Sequence, residues 1–481
     1  MKGEPLQGED NGRRDNFSVP PASEGTSLAF SDGQSRLDPA VKIRLLTRDR
    51  NYSEAFALAC FSVDSLGFRL PRKKVPIACW ISRKWLDALN GRNWAINAIR
   101  ATQCMDERVI ETIRIVRAAL EAAYHLAPGL AFRMAGWGAR LLVRYGNTAE
   151  GISVQVFYGF LYQGGYCGDS RASLLTCELV SALSAREEFL LMRTEALYFS
   201  GIYGFSRKGA VLGLGNRFGE AISSVQKTDD KLYGAMARAG QVVVQWFEGV
   251  PLEQLWDSST DALVELESSR FSEPLTIVRL VRQCVLGLQG KLCGHRLDGD
   301  GFDEGQLLGS LGGFQSRFLA QSGYLLLASY CIFTGRDTTA RIHVHNSYEN
   351  LGFSLGSILM AFHYFYHAMS VAFSTVTGGD KATLRRLVNR LSRKSCWFAP
   401  VFLVKLVKAE WYLADGQPGK SLEYYTESIG LASEAENKAV VALASSRSFT
   451  LPGSPVSRGE AMQAWEALGA RPPEHFFSHC K

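Results

Sequence analysis

The triplet Gly419-Lys420-Ser421 is the clearest sequence signal for chemistry, because Gly-Lys-Ser closes the phosphate-binding loop of many nucleotide hydrolases. Such a loop needs a glycine five residues earlier and a buried strand in front of it. Ala414 occupies that glycine position, and residues 405–413 have helical spacing. We therefore interpret the triplet as a turn between helices and predict no catalytic residue. A degenerate NTPase that uses Lys420 and Ser421 stays open as an alternative.

A second candidate for nucleotide chemistry is the glycine-rich stretch Gly213-Leu-Gly215-Asn-Arg-Phe-Gly219. In a dinucleotide-binding fingerprint the third glycine comes three residues after the second, and the motif joins a strand to a helix. Here the last glycine comes one residue late, and strand-like alternation is rare along the chain. We predict a helix weakened by roughly 1 kcal/mol for each glycine, with no cofactor.

Two groups of residues could in principle bind a metal ion. His363 and His367 share one helix face, and with His343 and His345 they could supply four zinc ligands. No acidic residue lies between or near the first two to orient them. In residues 298–304 the carboxylates and glycines do not fall at the positions of a calcium-binding EF-hand loop. We predict packed histidines, an acidic solvent-exposed loop and no metal site.

Composition excludes several classes of protein. The chain has 53 Lys and Arg against 47 Asp and Glu, a net charge of +6 over 481 residues. An excess this small does not indicate nucleic-acid binding. The ten cysteines are scattered without a Cys-x-x-Cys pair, and the N-terminus has no apolar signal-peptide core. These features favour a reducing, cytoplasmic location.

The elements that must position these residues are helices. Apolar residues recur at helical spacing from about residue 41 onward, which predicts an all-α fold. Two stretches, 325–347 and 406–428, align as helix–turn–helix units with small residues for close helix approach, bulky residues for the groove and a turn glycine. The aligned positions are Ala328, Cys331, Gly335, Ala340, Val344 and Ser347 in the first, and Ala409, Tyr412, Gly416, Ser421, Tyr425 and Ser428 in the second.

These offsets are those of tetratricopeptide (TPR) repeats. Further turn candidates near Gly165, Arg207, Gly249, Gly290 and Gly378 recur about every 40 residues, a helical-repeat period. We predict a TPR-like solenoid of stacked antiparallel helix pairs whose concave face receives ligands. Its organisation would be a disordered tail (residues 1–40), an N-terminal helical segment (41–150) and TPR-like repeats (151–481).

Several short motifs carry a resemblance to a known group of proteins. In order they are Ser65-Leu-Gly-Phe-Arg-Leu-Pro71, Met105-Asp-Glu-Arg-Val-Ile110, Arg144-Tyr-Gly-Asn147, Leu288-Gln-Gly-Lys291, Gly301-Phe-Asp-Glu304 and His363-Tyr-Phe-Tyr-His-Ala368. With the final helix pair, from Trp397 to about Ala435, they resemble the TPR-like helical region of large multidomain signalling ATPases. Those proteins carry kinase, AAA-like ATPase and histidine-kinase domains. The chain has no counterpart of these catalytic domains. The resemblance implies coupling or scaffolding in signal transduction.

The sequence as a whole favours a non-catalytic scaffold. We expect its partners to be other proteins, such as kinase or ATPase components, with no nucleic acid and no membrane insertion. One stretch leaves a further alternative open: residues 351–377 contain no Asp, Glu, Lys or Arg and are long enough to span a bilayer. Its histidines, tyrosines, serines and threonines favour two buried helices over a membrane-associated protein.

Overall fold

The computed structural model describes residues 37–72, 94–159, 170–203, 214–292, 296–299, 301–351, 357–374, 378–392 and 399–477. Within these ranges the chain is all-helical, with isolated β-bridges only, Gln103–Asn147 and Gly299–Phe302. The helices are α1 (Pro39–Arg48), α2 (Tyr52–Ser65), α3 (Trp94–Arg100), α4 (Glu107–Leu126), α5 (Pro128–Tyr145), α6 (Ala149–Val156), α7 (Ser170–Ser184), a 3-10 helix (Glu187–Met192), α8 (Arg193–Tyr203), α9 (Leu214–Thr228), α10 (Lys231–Glu248), α11 (Leu252–Glu267), α12 (Ser272–Leu288), α13 (Glu304–Leu311), α14 (Arg317–Phe333), α15 (Asp337–Glu349), α16 (Ile358–Ala372), α17 (Gly378–Leu391), α18 (Val401–Ala414), α19 (Pro418–Glu434), α20 (Lys438–Phe449), α21 (Arg458–Leu468) and α22 (Glu474–Phe477).

Neighbouring helices pack as pairs in one repeating pattern. The pairs are α1/α2, α4/α5, α6/α7, α8/α9, α10/α11, α14/α15, α16/α17, α18/α19 and α20/α21. From α1 to α18, the first helix of each pair also packs on the first helix of the next pair. The second helix of each pair packs on that same helix. Helix α12 takes the place of a first helix without a packed partner of its own, because residues 289–303 separate it from α13, which packs on α14. Each pair thus buries its apolar face against the following one.

Glycines with positive φ end several first helices. Gly249, Gly335 and Gly416 have φ of 66°, 73° and 75°, a left-handed conformation that costs a residue with a side chain about 1 kcal/mol or more. Each lies between the two helices of a pair. The glycine therefore stops the first helix and lets the second one fold back on it. Two of the other turn candidates, Gly165 and Arg207, lie outside the described residues.

The N-terminal part follows the same pairing pattern as the rest, on both sides of the predicted boundary at residue 150. That boundary falls inside α6, which packs on both helices of the α4/α5 pair. Likewise, α1 begins at Pro39, inside the predicted tail of residues 1–40, because the Asp38 carboxylate caps its first turn by accepting from the backbone N–H of Ala40 at 2.8 Å. Residues 1–36 of that tail lie outside the described part.

The stack of pairs turns back on itself. At the N-terminal end, the Arg50 guanidinium donates to the Gly313 carbonyl. Near the other end, the Asn437 side chain donates to the Phe247 carbonyl at 3.0 Å, and the backbone N–H of Lys438 donates to the Gly249 carbonyl. These contacts join residues that are up to 263 residues apart in the sequence. They hold distant parts of the stack together, in addition to the packing between neighbouring pairs.

Helix α14 is buried mainly by its neighbours α12, α15 and α16. All residues of α14 from Phe318 to Phe333 are buried, the signature of a helix surrounded on every side. The Trp246 indole donates to Ser329 Oγ at 2.9 Å, and the Phe333 ring lies 6.0 Å from that of Trp465 in α21. The C-terminal pair therefore contacts the end of α14 through Trp465.

The uncharged stretch 351–377 contributes α16, whose 15 residues are almost all buried against other helices. Its Phe362 ring stacks on Phe247 of α10 with 4.4 Å between ring centroids. Among the described residues, every helix is too short or too polar to cross a membrane.

Candidate functional site

The Gly419-Lys420-Ser421 triplet lies in the first turn of α19, after helix α18. The buried Ser421 hydroxyl donates to the Ala409 carbonyl at 2.9 Å and so holds the two helices of the pair together. Lys420 is exposed, and its ammonium nitrogen lies 5.4 Å from the centroid of the Tyr412 ring. The hydroxyl that would bind a nucleotide-associated magnesium ion in a phosphate-binding loop is therefore engaged in helix packing.

The glycine-rich stretch leads into the second helix of a pair. α9 begins at Leu214, and Gly215 and Gly219 lie within it; Gly213 is outside the described residues. The Cβ position of Gly219 has only the Gln241 amide nearby, at 3.9 Å. This is a surface-facing helical glycine.

The histidines lie where α15 and α16 pack together. His363 is buried, with its Nδ1 atom 3.1 Å from Ser347 Oγ, and the His367 ring lies 6.1 Å away, roughly edge to face. Burial lowers the pKa of His343 and His367 to about 4 and that of His363 to about 3. Within the part of the chain that the structure describes, no group of three or more His, Cys, Asp or Glu could hold a metal ion.

The acidic loop before α13 is closed by its own carboxylates. Asp298 accepts from the backbone N–H of Glu304 at 2.9 Å, and Glu304 accepts in return from Leu297 at 2.8 Å. Asp303 caps α13 by accepting from Gln306. Asp300 is outside the described residues. Three carboxylates of the loop that was expected to be solvent-exposed thus accept hydrogen bonds from backbone N–H groups. Glu304 is buried.

The predicted repeat-packing residues occupy two kinds of position. Most are completely buried between the helices of their pair, and Gly335 and Gly416 form the turns. Tyr412 is different: its ring stacks on Tyr424 at 5.2 Å on a partly exposed surface. The completely buried members are Ala328, Ala340, Ala409, Ser421 and Tyr425.

A buried ion pair that the repeat pattern does not contain joins α18 to α20. The Arg447 guanidinium donates to both carboxylate oxygens of Glu410, each at 2.8 Å, and the Tyr425 hydroxyl donates to the same carboxylate at 2.6 Å. The Glu410 side chain is 1% exposed. Burial disfavours the charged guanidinium, but Glu410 more than compensates and raises the pKa of Arg447. This ionic cluster fixes the last two pairs against each other.

A basic groove of about 570 Å³ lies next to this cluster, between α17 and the C-terminal end of α18. Its α17 wall is the solvent face of an amphipathic helix, because the apolar residues at helical spacing turn inward and are buried. The residues that line the groove are Lys381, Ala382, Arg385, Arg386, Asn389, Trp411 and Asp415.

The groove carries positive charge that is free for a ligand. Lys381, Arg385 and Arg386 are all exposed, and within the described ranges none of them forms an ion pair. Arg386 donates to Thr383 Oγ1 at 3.0 Å. Asp415, at the other side of the groove, accepts from the Gln417 amide at 2.7 Å. The groove is therefore polarised, with three cations along one wall and one carboxylate opposite.

Trp411 links the groove to an aromatic, cationic surface on the α18/α19 pair. Its ring lies 4.6 Å from that of Tyr412, which stacks on Tyr424. Lys405 and Lys408 lie 5.1 and 5.5 Å from the Tyr424 ring centroid, within cation–π range. Sequence reasoning missed this site because the i, i+4 cations of α17 look like an ordinary solvated helix face until α17 is packed against Trp411.

Comparison with protein families, with characterised proteins and with solved structures finds no match to this chain.

Proposed function

We propose that the protein is a non-catalytic, TPR-like helical-repeat scaffold that binds other proteins. The observation that supports this most is the regular packing of nine helix pairs and helix α12 among the described residues, in which each unit contacts the first helix of the next. Stacked pairs of this kind present long, rigid surfaces made of many short elements. A rigid surface loses little conformational freedom on binding, which favours recognition of extended or helical segments of other proteins.

The role in signal transduction, the cytoplasmic location and the kinase or ATPase components as partners rest on the sequence resemblance described above. The Gly-Lys-Ser triplet suggested the alternative of a degenerate NTPase. The engagement of the Ser421 hydroxyl by the Ala409 carbonyl speaks for the scaffold, because a phosphate-binding loop requires that hydroxyl to be free.

The proposal is tested by capture followed by reconstitution. The full chain is used as bait in an extract of the cells that produce it, and captured proteins are then produced separately and mixed with it. A scaffold gives saturable calorimetric binding of at least one purified protein with a defined stoichiometry. Failure of every captured protein to bind in purified form, while ATP is turned over by the chain, would refute the scaffold function.

A further inference from the structure

We propose that the basic groove between α17 and α18 docks an acidic segment of a partner protein, with its carboxylates on α17 and an apolar side chain on Trp411. This inference rests on the proposed scaffold function and adds the place and the chemistry of the contact. The groove is assigned to a protein partner because it combines cations, an aromatic ring and a carboxylate within one site.

The spacing of the cations suits a peptide. Lys381 and Arg385 are four residues apart and therefore about one helical turn, or roughly 5–6 Å, from each other along the groove. Alternate side chains of an extended peptide are about 6.6–6.8 Å apart and point the same way. Acidic residues at positions i and i+2 of such a segment can thus reach both cations, with Arg386 alongside.

The other residues that line the groove determine the direction in which the bound segment would run. Trp411 offers a partly exposed ring surface, on which an apolar or aromatic side chain can pack. Asp415 would repel a purely polyanionic ligand near the far side of the groove and would attract a basic residue. The expected motif is two or three acidic residues, then an apolar residue, then a lysine or arginine. A nucleic-acid backbone, with a negative charge at every nucleotide, matches this polarity less well.

The groove brings three exposed cations together along one wall. Some exposed cations elsewhere are paired within the chain, as Arg279 is with Glu267 and Arg471 with Glu474. The three groove cations have no such partner among the described residues. Charge held unpaired along one wall of a groove favours a ligand of opposite charge.

The test uses a fluorescent peptide in which three glutamates alternate with alanine and are followed by leucine and lysine. Its anisotropy is measured with the full chain at 0.05 and 0.15 M salt. The groove variant is Lys381→Glu/Arg385→Glu/Arg386→Glu. The matched control, Lys227→Glu/Arg270→Glu/Arg458→Glu, changes the net charge equally at exposed positions far from the groove in sequence. Circular dichroism establishes that both variants keep the helical fold.

We expect saturable binding of the peptide that weakens at least about tenfold in the groove variant and less than about twofold in the control. Trp411→Ala should weaken binding of the leucine-containing peptide and leave an alanine-substituted peptide unchanged. No binding at 1 mM peptide, or an equal loss in the two triple variants, would overturn the groove. If a partner captured from the extract binds the groove variant as tightly as the unchanged chain, the groove is not the docking site. The scaffold function would still stand.

Two other occupants would overturn the choice of partner. A 20-nucleotide RNA that displaces the peptide and binds at least as tightly at 0.15 M salt would make the groove a nucleic-acid site. A second copy of the chain could present the exposed acidic row Glu253, Asp257 and Asp261 of α11. Such self-association would give a molar mass in light scattering that rises with protein concentration. The groove variant would not show this rise.

Discussion

Replacing Glu410 by glutamine should destabilise the C-terminal pairs more than any other substitution of a single charge in α18. The carboxylate is 1% exposed and accepts three hydrogen bonds, two from Arg447 and one from Tyr425. Glutamine keeps the size of the side chain and can accept only at one oxygen. The guanidinium of Arg447, which is 21% exposed, would then remain largely buried without its counter-charge.

The size of the expected destabilisation follows from the uncompensated charge that the substitution leaves on Arg447. Removing one partner of a buried ion pair costs about 3–5 kcal/mol, because the remaining charge is uncompensated. The partial exposure of Arg447 places Glu410→Gln near the lower end, at about 3 kcal/mol. Tyr425→Phe removes one hydrogen bond to a charged acceptor and should cost about 2 kcal/mol. The double variant Glu410→Leu/Arg447→Met removes both charges together and should cost less than the sum of its single variants by about 2 kcal/mol.

The assay is equilibrium urea unfolding followed by circular dichroism at 222 nm, with tryptophan fluorescence as a second probe of the same transition. The exposed Glu423→Gln on α19 serves as the control and should change the free energy of unfolding by less than about 0.5 kcal/mol. If Glu410→Gln costs no more than this control, the cluster does not hold α18 against α20 and the reasoning is refuted.

Two further predictions concern the histidines and the turns. Because burial lowers the folded-state pKa of His343 to about 4 and that of His363 to about 3, the unfolded chain binds more protons below pH 6.5. The contribution of each of these two histidines to stability should therefore be constant above about pH 6.5 and should fall as pH decreases, by roughly 3 kcal/mol at pH 4. A flat urea midpoint between pH 7 and 4 would contradict this. Gly335→Ala and Gly416→Ala both pay about 1 kcal/mol for positive φ. Only the first brings a Cβ within 2.7 Å of the His475 ring, so it should be the costlier by at least about 1 kcal/mol in the same urea assay. Equal costs would argue against that contact.

The local part of the fold was predictable because it depends on residues close together in the sequence. The α14/α15 and α18/α19 pairs follow from a small residue before a turn glycine and a small residue after it, as at Ala409, Gly416 and Ser421. The N-terminal pairs use other turns. Arg50 takes a φ of 63° between α1 and α2, and Ala127-Pro128 joins α4 to α5, so the glycine signal is missing there.

The closure of the stack was not predictable from local pattern. It depends on contacts such as that between Asn437 and the Phe247 carbonyl, which no repeat offset contains. The same holds for the candidate site. The cations of α17 can be read from the sequence, but Trp411 faces them only because α17 packs on α18.

Whether the Gly-Lys-Ser turn packs helices or binds phosphate decides between a scaffold and an NTPase. The most direct measurement is calorimetric titration of magnesium ATP into the purified full chain, up to millimolar nucleotide. Since the Ser421 hydroxyl is committed to the Ala409 carbonyl and Lys420 lies over Tyr412, we predict no saturable heat. Saturable binding that disappears in Lys420→Ala would contradict the scaffold and establish a nucleotide site at the start of α19.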